Sequence, residues 1–208
     1  MSNYSTEIIE TISRVMADSF REDPLNQVVF DNVDKKDELL EAHSLIHTHH
    51  AVKNGSLTLL DGNPKAFLIG FDSKTEQNFR NALLIIKIYL KTFSLLGLKD
   101  LKKIFLNNKK AQKILSFNWY KKFITGRHYR VKIIAIDKEM RGSGAFRRLI
   151  TPAIEFCDKE RITMVLETHN YNNVGLYEHF GFELVKAITS PEIEIKQYCM
   201  IRKPAGST

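Results

Sequence analysis

The sequence predicts an α/β (α+β) fold in which helices flank a central sheet. Residues 131–136 form a β-branched run that is typical of a buried strand. Residues 6–20 carry apolar side chains at three- and four-residue spacing, which predicts an amphipathic helix. Residues 56–60 and 66–71 have strand-like composition and flank an Asp-Gly-Asn-Pro turn, which predicts a hairpin. The chain of 208 residues is long enough for one domain with its own core.

The composition is that of an ordinary soluble globular protein, with 43% hydrophobic and 26% charged residues. Two cysteines, Cys157 and Cys199, do not make a disulfide framework, so we expect apolar packing roles in a reducing compartment. The first seven residues lack the basic and apolar blocks of a signal peptide. A cytoplasmic location is therefore the expectation.

A second helix is predicted over residues 35–53, and Asn54-Gly55 ends it. His43, His47 and His50 fall on one face of this helix. A metal site would need further ligands, and neither a nearby cysteine nor another candidate is identifiable. We therefore expect no metal, while a contact between these histidines and a substrate stays open.

A glycine-bearing turn over residues 141–146 lies between the strand at 131–136 and a following helix. Backbone N–H groups at the start of a helix lack intrahelical partners and, with the helix dipole, favour phosphate. The turn is neither a Walker loop, which needs a Gly-Lys pair, nor a dinucleotide fingerprint, which needs a third glycine. Taken alone, such a turn serves equally well as a simple helix cap; pyrophosphate is the ligand that we expect.

A second motif follows the next predicted strand, at 162–168, and consists of Asn173, Tyr177, Gly181 and Phe182. With this motif the chain resembles the GCN5-related N-acetyltransferase (GNAT) superfamily. Residues 141–146 match the acetyl-CoA loop of that family, Arg/Gln-x-x-Gly-x-Gly/Ala, in the expected order. The resemblance covers residues 129–203.

The resemblance implies a GNAT-like mixed, mostly antiparallel sheet of about six or seven strands with a long helical insert between the third and fourth strands. Residues 182–187 and 194–201 are the predicted closing strands. We expect a single acetyltransferase-like domain over 1–208. It would consist of N-terminal helices and hairpin (1–72), the insert (73–127) and the acetyl-CoA-binding half (128–203).

By resemblance, the cosubstrate is acetyl-CoA, and a splay between the strands at 131–136 and 162–168 would open the slot for its thioester. Ile134, Ala135 and Ile136 would pair with the pantetheine arm, and Asn173 would steady the coenzyme. The pyrophosphate would lie on Arg141, Gly142, Ser143, Gly144, Ala145 and Phe146. Phe146 departs from the family pattern, which has Gly or Ala there, and an inward-pointing ring would block the site.

The reaction that the resemblance implies is direct attack of a primary amine, from a small molecule or a protein, on the thioester carbonyl. Tyr177 matches the family's usual general acid, although a packing aromatic is the alternative. The strand at 129–136 contains no acid, so Glu167, or else His169, is the candidate base, directly or through water.

The segment from Asn81 to Lys132 is strongly basic, with thirteen Lys or Arg residues and one acid, a net +12, whereas the remaining chain holds 18 basic and 23 acidic residues, a net −5. A solvated helical face is the favoured interpretation, ahead of a landing site for an acidic partner or for coenzyme A, with nucleic acid least favoured. Lys87 and Lys91 argue against a membrane span; surface binding to a membrane stays open.

We expect the insert to form part of the acceptor pocket. A non-catalytic acyl-CoA-binding sensor and a basic interaction domain remain the alternatives to an enzyme.

Overall fold

The computed structural model describes residues 4–75 and 78–206, with the backbone alone for 78–81. Residues 76 and 77 of the predicted insert, and the first three residues of the segment inspected for a signal peptide, lie outside the described residues. The α-helices are α1 Thr6–Glu22, α2 Pro24–Val29, α3 Lys36–Asn54, α4 Asn78–Leu95, α5 Leu98–Ala111, α6 Ala145–Glu160 and α7 Asn172–Glu178. None of the helices in this part of the chain is long and apolar enough to cross a membrane.

The strands are β1 Leu57–Leu60, β2 Asn63–Asp72, β3 His128–Ile136, β4 Thr163–Thr168, β5 Glu183–Ser190 and β6 Ile193–Arg202. They form one six-stranded sheet in the order β1-β2-β3-β4-β6-β5. Only β3 and β4 pair in parallel, so the predicted mixed and mostly antiparallel sheet is confirmed.

The helical insert, α4 and α5, follows the second strand of this sheet rather than the third. The difference arises at the N-terminus, where the described chain enters α1 directly and residues 4 and 5 form no strand. Family numbering counts a strand before the first helix, and that strand is not among the described residues.

Helix α2, Pro24–Val29, follows α1 directly. Asp23 ends α1, and its Oδ1 accepts hydrogen bonds from the N–H groups of Leu25, at 2.9 Å, and Asn26, at 3.2 Å. Pro24 occupies the first helical position, where the missing N–H costs nothing. The Asp-Pro pair therefore turns the chain sharply from one helix into the next.

The sheet separates two apolar layers. On one face α6 packs through Leu149 and Ile150 against strand residues such as Met164. On the other face α1 and α3 cover Phe67 and Ala135. Cys157 and Cys199 are free and buried, which confirms their predicted packing role. Burial of apolar side chains on both faces fixes the positions of the strand ends, where the candidate site lies.

Candidate active site

Strands β3 and β4 separate after a short stretch of pairing. Their parallel register covers only residues 128–130 of β3 against 163–165 of β4. Beyond that point β4 continues to pair with β6, and β3 continues to pair with β2. The edge of β3 that faces β4 is therefore open from Val131 to Ile136, and the splay implied by the resemblance is present.

The splay opens into a cleft of about 920 Å³. One end lies at the turn before α6, and the other lies between α1, α2, α3 and the end of β4. Of the residues that the sequence singles out, the cleft is lined by Ile134, Ile136, Arg141, Gly142, Gly144, Ala145, Phe146, Glu167, His169, Asn173 and Tyr177. Ala135 packs its side chain on the opposite face of the sheet, against the α1 and α3 layer, while its backbone stays on the β3 edge.

The turn before α6 has two glycines in the left-handed region, Gly142 and Gly144, each with a φ of 78°. A Cβ added at either glycine would meet nothing within 4 Å. Glycine is therefore needed at these positions for its backbone conformation, and not because a larger side chain would clash. The N–H of Arg148 makes the first backbone bond of the helix, to the carbonyl oxygen of Gly144. The N–H groups of residues 145–147 therefore have no intrahelical acceptor, which suits them to bind an anion.

Arg141 turns its side chain away from the turn and toward α1. Its Nη2 lies 3.0 Å from Oε2 of Glu22, and Lys138 holds the other carboxylate oxygen at 2.7 Å. These hydrogen bonds, led by that from Lys138, lower the pKa of Glu22. The three side chains are about half exposed, so the pairs are weak enough to exchange with an incoming anion.

Phe146 places its ring among aromatic side chains of the second motif. Its ring centroid lies 5.2 Å from that of Phe180 and 5.8 Å from that of Tyr177. The backbone of Phe146 stays in the first turn of α6, while the ring packs toward the segment around α7. The ring therefore packs on aromatic side chains of the second motif in the wall of the cleft.

Tyr177 is buried on α7, with the rings of Phe146 and Phe182 each 5.8 Å from its own. Burial raises its pKa to about 12, so the phenol keeps its proton at neutral pH. Asn173, one turn earlier, donates from Nδ2 to Oγ1 of Thr168 at 3.4 Å. Helix α7 therefore presents both residues to the cleft beside the end of β4.

Glu167 uses both carboxylate oxygens in protein contacts. Oε1 accepts a hydrogen bond of 2.5 Å from Nη2 of Arg130, and Oε2 accepts one of 3.0 Å from Nε1 of Trp119. Trp119 belongs to a short 3₁₀ helix, Trp119–Lys122, that follows α5 within the insert. These contacts hold the carboxylate in place and occupy the oxygens with which it would accept a proton.

His169, two residues further, is partly buried and lines the same cleft. Its Nε2 has no hydrogen-bond partner among the described residues. Burial lowers the pKa of His169, and the nearby carboxylates of Asp23 and Glu167 oppose that shift. A neutral imidazole with an uncommitted nitrogen is able to accept a proton.

The far end of the cleft is apolar and carries two of the three helix-face histidines. It is walled by Phe20, Leu25, Phe30, Leu40, His43 and His47. Burial lowers the pKa of His43 to about 4 and that of His47 to about 3, so both imidazoles are neutral. In the part of the chain that the structure describes, no three potential ligands are grouped around a metal position.

The sequence did not predict this apolar end, although the spacing of the histidines on α3 was a signal for it. The expectation that the insert forms part of the acceptor pocket stays a prediction. No described residue of 78–127 lines this cleft, whereas Leu84 of the insert lines a neighbouring pocket together with His47 and His50. The insert also contacts a residue that lines the apolar end, since Oγ1 of Thr92 on α4 lies 3.0 Å from Nε2 of His43.

Comparisons of the sequence and of the fold with known proteins find similarity to acetyltransferases. Residues 95–182 match the model of the acetyltransferase (GNAT) family. An uncharacterised N-acetyltransferase of Schizosaccharomyces pombe is 33% identical over 73 residues, which are 34% of this chain and 30% of the relative. The matched segment thus spans less than a third of the length of that curated relative.

Two solved structures share the fold along almost the whole chain. Arylalkylamine N-acetyltransferase 2 of Aedes aegypti is 17% identical with a TM-score of 0.57, and 97% of each chain is covered. A histone acetyltransferase HPA2-related protein of Corynebacterium glutamicum is 16% identical with a TM-score of 0.60, covering 100% of this chain and 97% of the other. Residues 95–182 thus match the acetyltransferase (GNAT) family, as the two motifs predict, and the chain shares its fold with these two solved acetyltransferases.

Proposed function

We propose that this protein is an acetyl-CoA-dependent N-acetyltransferase that transfers the acetyl group to a primary amine by direct attack. The observation that carries the proposal is the continuous cleft, which joins the turn before α6, the open edge of β3 and the apolar end. An acyl donor and an amine acceptor can enter from opposite ends and meet beside Tyr177 and His169.

The donor end fits coenzyme A by its backbone. The N–H groups of residues 145–147 would bind the diphosphate, with Arg141 released from Glu22 to join them. The open edge of β3 over residues 134–136 would hydrogen-bond the pantetheine arm in the manner of an added strand. The coenzyme would supply an acetyl group activated as a thioester.

Tyr177 would act at the sulfur. The C–S bond breaks as the new N–C bond forms, and the departing sulfur needs a hydrogen bond or a proton. Because burial raises the pKa of Tyr177 to about 12, the hydroxyl is protonated throughout the neutral range and is always available as a donor.

The proton from the amine would go to His169. Its lowered pKa keeps the imidazole neutral at physiological pH, and its Nε2 has no protein partner among the described residues. Glu167, which the sequence favours as the base, is the alternative, but Arg130 and Trp119 engage both of its oxygens. We therefore assign Glu167 to holding the end of β4 beside the cleft.

The acceptor would be a small primary amine with an apolar body and one positive charge. Aromatic side chains and neutral imidazoles form the walls. Of the carboxylates in the cleft, Glu22 is bound by Lys138 and Arg141, and Glu167 by Arg130. Asp23 uses Oδ1 to cap α2, which leaves Oδ2 available for one ammonium group.

The test is an amine panel in which free thiol is measured and the acetylated product is identified by mass spectrometry. We expect turnover with apolar monoamines, such as phenylethylamine and hexylamine, and a kcat/KM at least about tenfold lower for spermidine. Calorimetry with coenzyme A accompanies the panel. Binding without turnover on any amine would establish the acyl-CoA-binding sensor instead, and absence of both would contradict the proposal.

A further inference from the structure

Helix α4 is apolar on two opposite faces. Leu84 and Thr92 are buried on the face that packs against α3. The outward face carries a row of large apolar side chains at spacings of three, four and three residues. These are Leu83, Ile86, Leu90 and Phe93, with exposed fractions of 41%, 52%, 64% and 63%. A helix that only covers its own core would be polar on its outer face.

Helix α5 follows α4 after two residues and also exposes apolar and basic side chains. Leu98 and Phe105 are 87% and 67% exposed, and they lie in one row with Lys102 and Lys109, at i, i+4, i+7 and i+11. We call the exposed apolar residues of α4 and α5, together with their neighbouring lysines, the α4–α5 face.

The charge of the α4–α5 face is of one sign. The exposed lysines are Lys87, Lys91, Lys99, Lys102, Lys109 and Lys110. Asp100 is the only acid of α4 and α5, and it is buried and paired with Lys103 at 2.8 Å. Within the described residues, none of the six exposed lysines forms a salt bridge. The charge is therefore available to a partner.

The exposed apolar row and the exposed lysines together indicate which kind of partner the α4–α5 face binds. A second copy of this face would bring like charges together, which opposes self-association. Nucleic acid would satisfy the lysines but would leave the aliphatic and aromatic row without apolar contact. An anionic bilayer surface satisfies both, because the apolar row enters the boundary between headgroups and acyl chains while lysines contact the headgroups.

We propose that the α4–α5 face docks this protein on an anionic lipid bilayer, with α4 lying in the plane of the surface. Helices α4 and α5 pack against α3 and α2, which wall the apolar end of the cleft. Docking therefore brings that end near the bilayer. The docking itself is independent of the acetyl transfer proposed above.

The test is flotation of the full chain with vesicles of equal parts phosphatidylcholine and phosphatidylserine, and with vesicles of phosphatidylcholine alone. We expect binding to the mixed vesicles that weakens with added salt, and at least about tenfold weaker binding to the neutral ones. The double variant Leu90→Ser/Phe93→Ser should lose at least about tenfold in affinity for the mixed vesicles. The variant Lys87→Gln/Lys91→Gln, which keeps four of the six exposed lysines, should bind the mixed vesicles more weakly and with a smaller dependence on salt.

The control is Leu184→Ser, which removes an exposed apolar side chain from β5, away from the α4–α5 face. Its vesicle binding should be unchanged. Thermal melting checks that every variant folds, which we expect because the substituted side chains are exposed. Equal binding by Leu90→Ser/Phe93→Ser and the parent chain overturns the proposal. So does absence of vesicle binding, or lipid-free dimerisation that the same double variant abolishes.

Discussion

Tyr177 illustrates at the level of one residue how burial prepares a side chain for a chemical role. The aromatic rings of Phe146 and Phe182 fix its position, and the same burial raises its pKa to about 12. The hydroxyl therefore keeps its proton at neutral pH, which suits the role that we propose for it as donor to a departing thiolate. Sequence matching identified this tyrosine, whereas the cause of its protonation depends on side chains that only the fold brings together.

Replacing Tyr177 with phenylalanine removes the donor and keeps the ring. We expect kcat to fall about 100-fold or more, with little change in the KM for acetyl-CoA or in the melting temperature. Steady-state thiol release measures the effect. Tyr171→Phe is the matched control, since Tyr171 is exposed and precedes the same helix, and its rate should match the parent. An unchanged kcat for Tyr177→Phe would remove the assigned role.

His169 makes a prediction about pH. Because burial lowers its pKa, the imidazole is already neutral at pH 7, and kcat/KM should begin to fall only below the ordinary histidine value of about 6.5. His169→Gln should lower kcat about tenfold or more and abolish this acidic limb. Glu167→Gln separates the two base candidates. If Glu167→Gln abolished the limb and His169→Gln kept it, the base would be Glu167.

At the level of elements, the backbone conformation of the turn before α6 is expected to determine how well the turn binds coenzyme A. Gly144 has a φ of 78°, which an alanine adopts only with strain of about 1 kcal/mol or more. Gly144→Ala should therefore lower both stability and coenzyme A affinity. Gly126→Ala is the matched control, because Gly126 also has a positive φ, of 83°, and an added Cβ there meets nothing within 4 Å. It should lose stability alone, as followed by thermal melting and calorimetry. Equal affinity in both variants would contradict the role of the turn.

Helix α3 carries a second prediction, for stability in acid. The pKa values of His43 and His47 are about 4 and about 3 in the fold, below the value of about 6.5 expected in an unfolded chain. The unfolded state thus binds more protons below that pH, and stability should fall as pH drops from about 6.5 toward 4. The variant His47→Leu should flatten this slope in chemical denaturation at several pH values. A parent stability that is level over this range would contradict the burial of both imidazoles.

Elements with strong local signals were predictable from the sequence. Helix α1, the hairpin of β1 and β2, and strand β3 lie within a few residues of their predicted positions. Local pattern is sufficient there because periodicity and turn chemistry lie within the segment itself. Helix α2 is harder to predict because its six residues are too few to show a period, although the sequence contains the Asp23 cap and Pro24.

Contacts between distant segments were beyond the sequence. Trp119 and Glu167 are 48 positions apart, and their hydrogen bond removes much of the reason to regard Glu167 as the base. The exposed apolar row of α4 was equally hidden, since periodicity shows that a helix has apolar residues but not which face another helix covers. Both findings depend on packing, which local pattern does not encode.

At the scale of the whole molecule, the sheet and its two flanking layers position one cleft with a backbone-lined end and a side-chain-lined end. The first end uses amides that almost any sequence could supply, provided that the glycines permit the turn. The second end depends on particular side chains from α1, α2 and α3. We therefore propose that the donor is common to the family and that the acceptor is particular to this chain.

The measurement that tests the central claim most directly is a calorimetric comparison of coenzyme A with pantetheine, which shares the thiol arm and lacks the diphosphate. The account predicts saturable binding of coenzyme A and an affinity for pantetheine at least about tenfold lower, because the amides of the turn before α6 bind the diphosphate. No heat with coenzyme A, or equal affinity for both compounds, would contradict it.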